Sequence, residues 1–138
     1  MNADIVNEIR SKVDSVVRDK GCLDIIWDVA PMEPKDEMFC TGVIRDNGRE
    51  IIATCGNAYD FQENGTVDIT CYMKRGDGDF YLRQAVDEIR FYLEQSETQN
   101  VQFDNIIQDV PLEAEQTQYA IFLQLEFRAY TSRPINQG

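Results

Sequence analysis

The chain has 138 residues, 43% of them hydrophobic, with seven Phe, six Tyr and one Trp. That is enough apolar material for one packed core, so the composition excludes a disordered chain and fits a single domain over residues 1–138. Twenty-five acidic against thirteen basic side chains leave a net charge of −12, which repels nucleic-acid phosphates and argues against DNA-wrapping or base-reading roles.

The first ten residues lack the basic start and apolar run of a secretory leader. No window is long and apolar enough for a bilayer span. The expectation is therefore a chain made and assembled in the cytoplasm, with no membrane partner. Residues 4–20 follow as an amphipathic helix: Ile5, Ile9, Val13, Val16 and Val17 recur at helical spacing, while Glu8, Arg10, Lys12 and Asp14 fall elsewhere. Asn2 or Asp4 suits its N-cap, and Gly21 suits a left-handed stop after Lys20.

Residues 23–29 are short, apolar and β-prone, and end before Pro31 and Pro34, which mark an extended loop. Residues 38–45 and 49–54 flank Asp46, Asn47 and Gly48. Asn-Gly between two strand-like runs predicts a hairpin turn, because both central positions of the favoured turn need positive φ. The tip, Asp46 to Arg49 by number, is a candidate interface on a projecting hairpin. Gly56 and Asn57 mark another break. Residues 66–74 alternate cleanly, with Val67, Ile69, Cys71 and Met73 on one face.

A turn over residues 75–79 leads to a second helix, predicted over 80–95, with Leu82, Val86, Ile89 and Leu93 in one stripe, Phe91 and Tyr92 beside it, and Asp79 as N-cap. Residues 96–100 are a polar connection. A strand is predicted over 101–110, stopping at Pro111, then a polar loop or tip at 113–118. The last strand, over 119–130, is mostly apolar and so central. Residues 131–138 read as a flexible tail. The sum is an α+β domain: an antiparallel or mixed sheet, two helices packed on one face, and a projecting hairpin.

Nothing in the sequence assembles a reaction centre. Histidine is absent, which removes the commonest general base and metal ligand. Cys22, Cys40, Cys55 and Cys71 form no close-spaced pair, so neither a zinc site nor a thiol redox motif is indicated; they read as small residues on strands. Lys74, Arg75 and Asp77 precede a helix, but the phosphate-loop spacing is missing, acids crowd the turn, and the ligands of a calcium loop are incomplete. The turn is carried forward only as a second candidate interface. The expectation is no enzyme, no cofactor and no metal.

The run Gly65-Thr66-Val67-Asp68-Ile69-Thr70-Cys71-Tyr72-Met73-Lys74, then Gly76-Asp77-Gly78, then Ala85-Val86-Asp87-Glu88-Ile89, resembles the tail terminator (tail completion) proteins of long-tailed bacteriophages. The N-terminal amphipathic helix, the break at Ala53-Thr54-Cys55-Gly56 and the closing Leu125-Glu126-Phe127-Arg128-Ala129-Tyr130 fit the same order. The chain departs from that pattern in its cysteines and in Met73-Lys74, where a proline often stands. The resemblance implies a structural protein of the virion tail or neck, assembled in the bacterial host. It implies a ring of identical subunits, typically a hexamer, on the head-proximal end of the tail tube. Its partners would be the tail tube protein and the head-tail connector or stopper, with genomic DNA passing through unbound. Two other readings stay open: another neck or tube subunit, such as a head-completion adaptor or stopper, or a cellular α+β ligand-binding domain.

Overall fold

The structure, a computed structural model, describes residues 1–28, 38–55, 58–74, 80–115 and 118–134. Helix α1 (Ala3–Asp19) starts where Asn2 Oδ1 accepts the Ile5 N–H at 2.9 Å, and it buries Ile5, Ile9, Val13, Val16 and Val17. Helix α2 (Phe80–Leu93) buries Leu82, Ala85, Val86, Ile89 and Leu93. Both stripes were legible as helical spacing. Gly21 serves a different purpose from the one its position suggested. The left-handed residue after α1 is Cys22, at φ 56°. Gly21 is needed for contact instead: a Cβ there would lie 2.8 Å from the Ile89 side chain and 2.9 Å from the Val17 carbonyl oxygen.

Five strands form one mixed sheet in the order β1-β2-β3-β5-β4. They are β1 (Ile25–Trp27), β2 (Phe39–Cys55), β3 (Ala58–Lys74), β4 (Val101–Glu115) and β5 (Gln118–Pro134). Only β1 runs parallel to its neighbour; the other three pairings are antiparallel. The predicted alternation in β3 holds. Val67, Ile69, Cys71 and Met73 share the core with Ile121, Leu123, Leu125 and Phe127 of β5 and with the buried stripes of both helices. Both helices therefore cover one face of the sheet. Side chains as large as Phe103 and Phe127 are fully buried there, each contributing about 2–3 kcal/mol of hydrophobic stabilisation.

Residues 46–48 are not a hairpin tip. Strand β2 runs straight through them and pairs with β3 from Phe39↔Tyr72 to Cys55↔Ala58. The register skips Asn47, Gly48 sits at φ 115°, and the Asp46 carboxylate accepts the Gly48 N–H at 2.9 Å. The Asn-Gly pair makes a β-bulge, because the positive φ that closes a two-residue turn also absorbs one extra strand residue. A second skip passes Ile52. The β2–β3 pairing runs on to Cys55↔Ala58; residues 56 and 57 lie outside the described residues, as do Pro31, Pro34 and Asp79.

Two further boundaries move. Strand β4 passes through Pro111, which faces Ile121 in the register. It can do so because β4 is an edge strand, where a missing N–H removes no bond on the open side. Residues 131–134 of the supposed tail pair with 61 down to 58 of β3, so β5 is longer than predicted. Residues 135–138 lie outside the described residues.

The link from α2 to β4 is tied back to α1 through Glu8. Its carboxylate accepts from the Thr98 hydroxyl, from the Asn100 N–H at 2.7 Å and from Asn100 Nδ2 at 3.1 Å. Burial pushes the Glu8 carboxyl up, but these three hydrogen bonds outweigh it and leave it below the ordinary 4.5. A carboxyl held low when folded stabilises the fold above its unfolded value, and that contribution is lost as pH falls through the folded value. Glu8→Ala is expected to cost about 1 kcal/mol at neutral pH, given the partial exposure of the site. The gap from the parent should close as denaturation is repeated from pH 4.5 downward. A gap that stayed constant with pH would show that the carboxylate is not the source.

Candidate interaction surface

Three surfaces stand out among the described residues. The first is the arm, where β2 beyond its bulge at Asn47 continues beside the first half of β3 and the end of β5. Asp46, Asn47, Gly48 and Arg49 lie at its base and are all exposed. Arg49 lays its guanidinium 4.6 Å from the centroid of the Phe61 ring. Asp46 is held below its ordinary value by the Gly48 N–H first, then by the Met1 amino group 3.1 Å away and by Arg49. The sequence placed a hairpin turn here; the structure has instead three paired strands running on past this point.

The second surface is the face of the sheet turned away from the helices. Asp68 is 92% covered yet remains a satisfied carboxylate: it accepts Arg45 Nε at 2.5 Å and Gln124 Nε2 at 3.0 Å. Beside it, Arg128 donates to Asp104 at 3.1 Å and Gln102 at 3.3 Å. These charges pair with one another across strands, and they border an open hollow lined also by Asn64, Thr66 and Glu126.

The third surface was missed by the sequence reasoning. With positions 82, 85, 86, 89 and 93 turned inward, Phe80, Gln84, Asp87 and Phe91 recur along the opposite ridge of α2. Phe80 is 69% exposed and Phe91 76%. Each packs edge-on against the adjacent tyrosine, Phe80 on Tyr81 at 5.5 Å and Phe91 on Tyr92 at 5.1 Å between centroids. Lys20 Nζ lies 4.6 Å above the Tyr92 ring. The signal was available: Phe80 and Phe91 fall half a turn out of phase with Leu82 and Ile89.

The two candidate interfaces named from sequence do not come together. Lys74 ends β3 opposite Gln118, whereas Asp46 stands opposite Gly65. Nine strand residues separate those points, roughly 30 Å. Arg75 and Asp77 lie outside the described residues. Among the described residues no group of three or more Cys, Asp or Glu is placed to hold a metal ion. Cys40 and Cys71 face each other across β2 and β3 with sulfurs 3.0 Å apart, both buried. The contact with Cys71 and then burial push the Cys40 thiol well above its ordinary value, so it stays protonated and unreactive. Cys22 is exposed rather than on a strand, and the side chain of Cys55 lies outside the described residues.

Comparison with known proteins shows likeness in fold alone. No protein-family model and no curated protein sequence matches the chain. A solved chain that bears no functional name superposes with a TM-score of 0.66 at 13% identity, covering 94% of this chain and 96% of that one. A chain from the virion of a native gene transfer agent particle superposes with a TM-score of 0.55 at 10% identity, covering 94% of this chain and all of that one.

Proposed function

We propose that this chain is a structural subunit of a phage-type virion, and specifically a tail terminator. It forms a ring, typically of six copies, on the head-proximal end of the tail tube. There it stops tube growth and presents a surface to the connector or stopper of the head. The observation that supports this most is the end-to-end likeness in fold to a chain of a gene transfer agent virion, in a protein whose exposed features are surfaces rather than a cleft. The residue pattern that resembles tail terminators points the same way. So do a three-stranded arm with Ile52 exposed and an exposed aromatic ridge, which on a lone subunit leave apolar area in water.

The chain acts by contact and not by catalysis. Its buried thiol is held protonated, and the charges on its open sheet face are spent on one another. The surplus of acid keeps DNA mobile in the central hole, since like charges repel a polyanion. A second reading, a tube subunit, is favoured by one observation: β2, β3 and β5 are each 17 residues long, which makes a long hairpin in an extended sheet. Two helices in a five-stranded sheet speak against a mainly helical adaptor.

Negative-stain microscopy of the purified chain, alone and with tail tubes of the same virus, separates these readings. A terminator is expected as single rings that cap tubes at one end. Stacked tubes growing from the chain alone would establish the tube reading, and a persistent monomer that ignores tubes would overturn both.

A further inference from the structure

The sheet ends in two open edges that are unlike, unequal and set at opposite corners. On one side β1 covers β2 only at 40–42, where the Cys40 N–H donates to Asp24 at 2.7 Å and the Asp28 N–H to Gly42 at 3.0 Å. From Val43 to Cys55 no strand among the described residues lies against that side of β2. On the other side the start of β4 is covered by the segment after α2. The Thr98 N–H donates to Val101, Phe103 to Ser96 and Gln95 to Asp104, with Glu97 bridging Gln102. From Ile107 to Glu115 the outer side of β4 is open among the described residues. β4 at Val101 lies beside β5 at Ala129, and β5 there lies beside β3 at Glu63. The covered start of β4 is therefore level with the arm, and its open half lies at the end of the sheet where β1 sits.

An open strand edge has one chemical complement, another extended backbone. We propose that the complement is a second copy of this chain, with β4 over 107–115 of one copy pairing along β2 over 43–55 of the next. Strand directions support that choice. β2 and β5 point one way and β3 and β4 the other, so copies turned about a common axis present β4 antiparallel to β2, the stronger arrangement. The two edges differ, so the contact is head-to-tail: it closes into a ring where the turn per copy divides the full circle, as the ring reading requires, and otherwise runs on as a filament. β1 and the 94–98 segment block the remaining lengths and fix the stagger. The register skips at Asn47 and Ile52 on β2, and between Ile106 and Gln108 on β4, bend both edges away from an arbitrary flat strand. Roughly eight backbone hydrogen bonds would form per contact, because Pro111 has no N–H to give across that side. The inference rests on the ring reading and adds which edges make the ring.

Amide hydrogen exchange on the full chain tests it, comparing dilute monomer with the assembled species separated by size. Amides within 43–55 and 107–115 are expected to exchange at least about tenfold more slowly in the assembly. Assembly with either stretch unchanged overturns the edge pairing and leaves the ring reading standing. A chain that stays monomeric at its highest soluble concentration, with and without tail tubes, overturns both.

Discussion

Replacing Gly65 with alanine is expected to cost about 3 kcal/mol, which lowers the melting temperature by roughly 10 °C for a chain of this size. A Cβ at that position would lie 2.2 Å from the Arg45 carbonyl oxygen and 2.6 Å from Phe127 Cζ. The first of these is backbone and cannot swing aside. Gly65 pairs with Asp46 on one side and with Phe127 on the other, just where β2 bulges past Asn47. The bulge pulls the β2 backbone in, and the Phe127 ring fills the space a side chain would otherwise take. Phe127 is itself fully buried in the core, so relief by moving the ring transfers the cost to its neighbours. Thermal and urea denaturation of Gly65→Ala beside Phe127→Leu and the double variant would check this. The smaller side chain at 127 should recover part of the loss, because it removes one of the two clashes. A fully stable Gly65→Ala would show that the strands do not approach so closely.

The same region explains what the sequence revealed and what it concealed. The stripes of α1 and α2 and the alternation of β3 from Val67 to Met73 were readable because one face of each is buried and the other wet, so burial imposes a period on the residues. The β2 side of the arm has no such period. Residues 45–50 are exposed throughout and pair through their backbones, so Arg45, Asp46, Arg49 and Glu50 answer to no core. Asn47 and Gly48 then gave a local signal shared by two structures, a turn and a bulge. The choice between them is made by residues 61–65 of β3, distant in sequence. Pro111 misled for a related reason: its cost depends on whether the strand is an edge, which is a property of the whole sheet. The aromatic ridge of α2 was only partly visible in the sequence: Phe91 and Tyr92 were placed beside the core stripe, because they stand next to Leu93 in the chain, whereas Phe91 points to the opposite side of the helix with Phe80.

That ridge carries the largest effect expected on assembly. Phe80 and Phe91 stand about 16 Å apart along α2, one at each end, with Gln84 and Asp87 between them. Neither contributes to the core, so Phe80→Ser with Phe91→Ser should leave folding stability within about 0.5 kcal/mol of the parent. Aromatic anchors at the centre of an interface typically carry about 2 kcal/mol each. Removing both is therefore expected to weaken attachment by roughly a thousandfold. The ridge lies on the helix face rather than at either open edge of the sheet, so on the proposed terminator reading it is offered to the tail tube and not to the next copy. Co-sedimentation with tail tubes, read beside the melting curve, should show a folded, ring-competent variant that no longer binds. If the double variant still caps tubes at the parent's concentration, the ridge has no part in attachment. If it fails to form rings, the ridge belongs between copies and the strand edges lose their assigned role.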